Sequence, residues 1–193
     1  DASFNRSRDS PDVKVVYIML PNAMHREYVG RAAAAGKHVL CEKPMATSVA
    51  DCEAMIAACK SAGRKLMIAY RCQYEPFNRD VLKMVRDRTY GPVKFIDAAN
   101  LQNMGETDQW RFKRGEAGGG ALPDVGLYCL NAARFLTGEE PIEVFGRTVS
   151  PPDDPRYRRV EETVQFTLRF PSGVVANCAA SYGMHEARLL QVH

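Results

Sequence analysis

Three short apolar runs, separated by stretches of helix length, constrain this chain more than any other feature. Lys14-Val15-Val16-Tyr17-Ile18-Met19-Leu20 is nearly all apolar and rich in β-branched residues, the pattern of a strand buried on both faces. Lys37 to Cys41 and Leu66 to Tyr70 are further short apolar runs of this kind. Between them, Ala23 to Ala35 and Ser48 to Ser61 have helical composition. Gly36 closes the first helix as a C-cap. The second opens with Ser48 and Asp51, a capping-box variant. It places Val49, Cys52, Ile56 and Cys59 on one face and stops at Gly63. Strand, helix, strand, helix, strand with short links is a right-handed, parallel β-α-β-α-β unit. That is one half of a doubly wound nucleotide-binding fold.

In such a sheet, ligands bind beyond the carboxyl ends of the strands. The three ends here are Pro21-Asn22, Glu42-Lys43-Pro44 and Tyr70-Arg71. All emerge on one edge, so their polar and charged side chains converge there. The phosphate fingerprint G-x-G-x-x-G after a first strand is absent. Asp1 to Pro11 is polar and reads as unstructured. The expectation is therefore the second half of a Rossmann-type domain over residues 1–72, its first half missing.

From residue 73 the character changes. Glu75 to Thr89 reads as a helix ended by Gly91-Pro92, and Val93 to Gln102 as a strand. Met104 to Gly115 is a polar loop that holds the only tryptophan, Trp110. A helix follows from Ala121 to Leu136. Ile142 to Val149, Val160 to Phe170 and Val174 to Ser181 read as long strands, the last two joined by a hairpin at Pro171-Ser172-Gly173. This predicts a second, α+β domain over residues 73–193 with a largely antiparallel sheet, incomplete at His193. In its helix, Leu122, Val125, Cys129, Ala132 and Leu136 form an apolar stripe. Asp124, Tyr128 and Asn131 form a polar stripe beside it, at spacings of four and three. A solvated face would favour Lys and Glu over a Tyr flanked by Asp and Asn. Gly118-Gly119-Gly120 just upstream also lets a backbone or a ligand come close. The stripe reads as a second candidate site.

Composition narrows the function classes. The net charge is +3 and no Lys/Arg block is long enough to mark a nucleic-acid or anionic-lipid surface. No apolar run approaches a membrane span. The six cysteines contain no C-x-x-C and the four histidines lack ligand spacing, so buried free thiols are expected rather than a disulfide frame or a metal site.

Several long motifs, in order, carry a resemblance. They are Ile18-Met19-Leu20-Pro21-Asn22 with His25, Gly36 through Glu42-Lys43-Pro44 to Ser48, and Tyr70-Arg71-Cys72 with Tyr74 to Asn78. Gln109-Trp110-Arg111 follows, then Gly118-Gly119-Gly120 through Asp124, Gly126, Tyr128 and Asn131. From about Val13 to its end the chain resembles the Gfo/Idh/MocA oxidoreductases, and within them the glucose–fructose oxidoreductase branch. Most of the wider family has a histidine near the position where this chain has Tyr128. The resemblance implies that Leu20, Pro21, Asn22 and His25 line the nicotinamide side of NADP or NAD, and that Glu42 and Lys43 reach its ribose and the substrate. It implies a cis peptide at Pro44 that turns Lys43 inward, and NADP contacts from Arg71, Trp110 and Arg111. Tyr128 becomes the acid/base, Asp124 positions the sugar, and Arg71 and Asn131 join the substrate side. The implied partners are a sugar or polyol and further copies of the chain, as a homodimer or homotetramer through the C-terminal sheet. The expected compartment is cytoplasmic or periplasmic; with the N-terminus missing, targeting is not legible.

The chemistry also follows from the residues. Oxidising a sugar hemiacetal takes a hydride from carbon and a proton from oxygen, and the cofactor accepts the hydride. Free tyrosine, with a pKa near 10, is a poor base at neutral pH. A lysine ammonium within roughly 4–6 Å favours the phenolate. Lys43 with Tyr128 therefore suits proton transfer to and from one substrate oxygen. Two alternatives stay open: a dehydrogenase of the same family that releases its cofactor each turnover, acting on an inositol, a sugar derivative or a dihydrodiol, and a non-enzymatic truncated domain.

Overall fold

The computed structural model describes residues 2–105 and 108–193. Asp1, in the predicted unstructured segment, and Glu106 and Thr107, in the predicted polar loop, lie outside the described residues. The chain forms two compact units. The first holds residues up to Tyr70 together with Lys113–Gly118, and the second holds Arg71–Phe112 and Gly119–His193.

In the first unit, helix α1 (Ala2–Asp9) precedes strand β1 (Val15–Ile18), helix α2 (His25–Ala34), strand β2 (His38–Cys41), helix α3 (Val49–Ser61) and strand β3 (Leu66–Ile68). The strands are parallel in the order β1-β2-β3, with Val15 opposite His38 and Val39 opposite Leu66. Both crossovers step the same way across the sheet, so right-handed connections put α2 and α3 on one face. Val16, Ile18, Val39 and Cys41 are buried there against Val29, Ala32, Met55 and Cys59. This corrects the expectation of a β1 buried on both faces: Val15 is 56% and Tyr17 43% exposed on the opposite side. The buried stripe of α3 is also shifted. Met55 and Cys59 are buried, whereas Val49 and Ile56 are exposed. Ile56 lies about 100° around the helix from Met55, given 3.6 residues per turn.

The caps behave as the sequence predicts. Ser48 Oγ accepts from Asp51 N at 3.1 Å, and Gly36 and Gly63 end α2 and α3 in the left-handed region at φ 74° and 65°. Helix α1 replaces the expected unstructured start. Phe4 meets Tyr28 edge to face at 4.8 Å, and the Arg31 guanidinium lies over both rings. Those contacts come from α2, so local composition does not reveal them.

The second unit contains helix α4 (Pro76–Arg86), strand β4 (Phe95–Asn103), a π-helical turn (Leu122–Gly126) that runs into helix α5 (Leu127–Thr137), and strands β5 (Glu143–Val149), β6 (Thr163–Arg169), β7 (Val175–Ser181) and β8 (Gly183–Val192). The sheet order is β5-β6-β7-β4-β8, and only the β4–β7 pair is parallel. Its core face buries Ile96, Val164, Phe166, Leu168, Ala176 and Cys178 against Val125, Cys129, Ala133 and Leu136. Gly173, at φ 87°, turns the hairpin between β6 and β7. Strand β8 is an addition to the sequence reading: Gly183-Met184-His185-Glu186-Ala187-Arg188 lacks apolar alternation, and an edge strand does not need it.

The predicted helical stripe shifts where the π turn enters. Leu122 is exposed, and Ala133 rather than Ala132 joins Val125, Cys129 and Leu136 in the core. A π turn inserts an extra residue into the helical repeat and so rotates what precedes it. The six cysteines are free thiols, four of them buried. Burial pushes Cys41 and Cys178 up to about 12 and Cys129 up to about 11. No helix among the described residues is long and apolar enough to cross a membrane.

Candidate active site

The candidate residues form one set in each unit. In the first, the ends of β1 and β2 are tied together by a buried histidine. His25 sits at the start of α2 and is fully buried. Its Nε2 is 2.9 Å from the Leu20 carbonyl, and its Nδ1 is 3.0 Å from the Pro44 and 3.3 Å from the Met45 carbonyl. The ring therefore braces the loop that carries Glu42-Lys43-Pro44. The Lys43–Pro44 peptide is cis, in agreement with the resemblance. Asn22 is buried and donates through Nδ2 to the Ala117 carbonyl at 2.8 Å, which holds the turn Arg114–Ala117 to the end of β1. Gly118 closes that turn at φ 86°. A Cβ there would lie 3.0 Å from the Thr47 side chain, so the glycine admits the strand-end loop.

Glu42 is held from two sides. The Tyr17 hydroxyl donates to its Oε1, and the Lys43 backbone N–H donates to its Oε2 at 3.1 Å. The bond to Glu42, burial and the Glu42 charge push the Tyr17 hydroxyl up to about 12. Tyr17 therefore stays a donor through the neutral range. From the sequence alone Tyr17 is one residue of an apolar strand, with no role of its own. Its position on β1, one strand away from the end of β2, is the signal that points to Glu42.

In the second unit, Trp110 and Arg111 lie in the 3-10 turn Trp110–Phe112. The Arg111 guanidinium stacks over the Trp110 ring at 4.5 Å, and its Nε donates to Asp124 Oδ2 at 3.1 Å. Asp124 lies in the π turn with its side chain only 14% exposed. A second donor reaches the same oxygen: the Tyr182 hydroxyl, at 2.7 Å. Tyr128 and Asn131 follow on α5, both half-buried, and the Asn131 amide donates to the Leu127 carbonyl at 3.1 Å. Arg71 is exposed at the start of the turn Arg71–Gln73. Asp124 and Arg111 are thus brought together by an ion pair that the sequence reading did not foresee.

The π turn itself is clamped. Glu161 Oε1 accepts from the Leu122 N–H at 2.8 Å, the Glu161 carbonyl accepts from the Ala121 N–H at 3.1 Å, and Asn100 Nδ2 donates to the Val125 carbonyl at 3.3 Å. Gly120 explains the glycine run. A Cβ there would collide with the Glu161 carbonyl oxygen and lie 2.9 Å from that residue's backbone N and C, so this close approach serves a backbone. π turns concentrate at functional sites because the widened helix redirects side chains. Among the described residues, no group of three or more His, Cys, Asp or Glu is arranged to hold a metal ion.

Comparison with known proteins follows this division. The model of an oxidoreductase family with an NAD-binding Rossmann fold matches residues 2–70, and that of the GFO/IDH/MocA C-terminal domain matches residues 78–193. The chain is 36% identical over 187 residues to the D-xylose 1-dehydrogenase [NADP(+)] of Haloarcula marismortui, which covers 94% of this chain and 51% of that protein. It superposes on the aldose-aldose oxidoreductase of Caulobacter crescentus complexed with glycerol with a TM-score of 0.91 at 52% identity, over 95% of this chain and 55% of that one. It also superposes on a levoglucosan dehydrogenase in complex with NADH and levoglucosan, with a TM-score of 0.86 at 29% identity, over 98% and 54% of the two chains. The chain spans about half the length of the curated relatives it matches. With both of its parts matched in order, this chain belongs to the Gfo/Idh/MocA oxidoreductase family.

Proposed function

We propose that this chain carries the nicotinamide-side and substrate-side residues of a sugar oxidoreductase that moves a hydride between a sugar C–OH and a tightly held NADP. The observation that carries this reading is the polar stripe Asp124–Tyr128, with the Asp124 carboxylate fixed by two donors on one oxygen. A side chain fixed in this way suits orienting a sugar hydroxyl, because a carboxylate accepts strongly from O–H groups.

The residues of the first unit fit the nicotinamide end of the cofactor. Glu42, held by Tyr17 at the end of β2, offers carboxylate oxygens of the kind that accept from ribose hydroxyls. Leu20, Pro21 and Asn22 line the same end, on backbone that His25 secures. From the second unit, Arg71, Trp110 and Arg111 are assigned to the cofactor, with Arg71 and Asn131 also on the substrate side. When bound, the cofactor supplies the hydride acceptor.

The protein groups handle the proton. As the phenolate that the Lys43 ammonium favours, Tyr128 takes it from the sugar hydroxyl. In reverse, the same pair returns the proton while a second sugar is reduced. Tight retention suits an enzyme that oxidises one aldose and reduces another, as the name of the 52% identical Caulobacter protein describes for that protein. The test is to purify the complete gene product and pass it through gel filtration. Co-eluting NADP and sugar-dependent turnover are the expected results. Loss of cofactor with turnover restored by added NADP would instead place the protein among the dehydrogenases that release it.

A further inference from the structure

We propose that Tyr182 is the positioning residue that sets the direction of the Asp124 carboxylate for the sugar. The proposal rests on the reading of Asp124 as the sugar-orienting group. Tyr182 lies between β7 and β8 and is 1% exposed, yet its hydroxyl reaches a carboxylate in the π turn at 2.7 Å. Buried tyrosine hydroxyls usually hydrogen-bond, and here the partner is Asp124 Oδ2.

The rest of Tyr182 is tied on every side. Its N–H donates to the Glu162 carbonyl at 2.9 Å, and its own carbonyl accepts from the Met104 N–H at 2.7 Å. Its ring meets Phe112 edge to face at 6.1 Å. Phe112 belongs to the turn that carries Arg111, the other donor to Asp124 Oδ2. One residue therefore braces both members of the Arg111–Asp124 pair: the carboxylate directly, and the guanidinium through the turn beneath it. Two donors on one oxygen fix the carboxylate plane, and with it the direction of Oδ1.

Burial, followed by the charge of Asp124 and the bond to it, pushes the Tyr182 hydroxyl well above the ordinary tyrosine range, with Arg111 opposing. Tyr182 is therefore a permanent donor and not an acid or base. Arg111 and Tyr182 both donate to Asp124 Oδ2, and the Glu161 charge also raises the Tyr182 hydroxyl.

The experiment replaces one hydroxyl in the complete gene product. In Tyr182→Phe, kcat/KM for the sugar should fall about 10- to 100-fold, the range expected for one hydrogen bond to a charged group. The affinity for NADPH should not change. The acid limb of the pH profile should move to higher pH, because a carboxylate that loses a donor binds its proton more readily. A purely structural role would not move that limb. Tyr157→Phe, at a neighbouring buried tyrosine that also stacks on Phe112, is the packing control and should keep the limb in place. In an Asp124→Asn background, Tyr182→Phe should cost nothing further, the signature of two residues acting as one unit. Should Tyr182→Phe not fold, 3-fluorotyrosine at position 182 keeps the shape, donates more strongly, and should move the acid limb to lower pH. Wild-type kcat/KM and an unmoved limb in Tyr182→Phe, with Asp124→Asn strongly impaired, would overturn the proposal and leave the function intact. Wild-type kinetics in Asp124→Asn would overturn both.

Discussion

Lys43 and Tyr128 are the residues on which the proposed chemistry turns. Lys43→Ala and Tyr128→Phe in the complete gene product should each lower kcat by about 10²- to 10⁴-fold, the span of positioned proton transfer. Circular dichroism and NADPH titration should show that both variants remain folded and bind cofactor, and wild-type rates in either would remove the mechanism. Gly120 is a different kind of residue. A methyl group there meets the backbone of Glu161, which cannot swing aside as a flexible side chain would. Gly120→Ala should therefore destabilise by about 1–3 kcal/mol, the cost of overpacking a tight site, read as a lower urea midpoint. Lys43 is proposed from its place at a strand end, and Asp124 and Tyr128 from a stripe whose residue types are unusual for a solvated surface. Tyr17 and Tyr182 were not legible, since each acts on a partner 25 and 58 residues away respectively. No local pattern encodes such a pair.

Among the elements, α3 is the one whose ends the sequence marks most fully. Ser48 accepts the Asp51 N–H, and its hydroxyl donates back to the Asp51 carboxylate at 2.7 Å. Ser48→Ala should cost about 0.5–2 kcal/mol of stability, measured by urea unfolding, whereas Ser48→Thr, which keeps the hydroxyl, should retain most of it. A midpoint unchanged by Ser48→Ala would mean that the cap is not holding the helix start. Helices α2 and α4 were also legible in type, α2 through Gly36; α4 is capped by Glu75, which accepts the Asn78 N–H at 2.9 Å, and ends at Arg86, short of the expected Thr89. The helix after Gly120 was legible as a helix but not in its phase. Its first turn is held in π geometry by Glu161 and Asn100 from other elements, so the buried side of that turn is set from outside it. Strand β8 was not legible, because an edge strand takes its conformation from hydrogen bonds to β4 and not from a buried face.

The whole molecule leaves two surfaces that bear on assembly and cofactor. On the outer face of the second sheet, Thr163 bonds Ser181 at 2.7 Å and Thr167 bonds Asn177 at 2.9 Å, beside Gln165 and Ala179. Phe145, 72% exposed, is paired with Thr167 on the neighbouring strand. A polar, sparsely charged sheet face of this kind is suited to pairing with a second copy. We expect a dimer or tetramer by light scattering at micromolar concentration; a strictly monomeric mass would contradict it. In the first unit, no G-x-G-x-x-G loop stands ready at a helix N-terminus to take a pyrophosphate. The 193-residue chain should therefore bind NADPH far more weakly than the full-length D-xylose 1-dehydrogenase [NADP(+)] it resembles in a fluorescence titration. Comparable tight binding would reveal a phosphate site among these residues. The sequence by itself determined the parallel β-α-β-α-β order, the strand ends that carry Glu42 and Lys43, and the polar stripe on the last helix. All of these are written in local periodicity, caps and turn residues, which act over a few positions. Only the tertiary structure decided that one face of the first sheet is covered and the other open, that His25 faces backbone carbonyls with both ring nitrogens, and that Arg111 and Tyr182 meet on one oxygen of Asp124. Those outcomes depend on crossover handedness and on contacts between residues distant in the chain. A donor finds its acceptor there only once the sheet has set their positions.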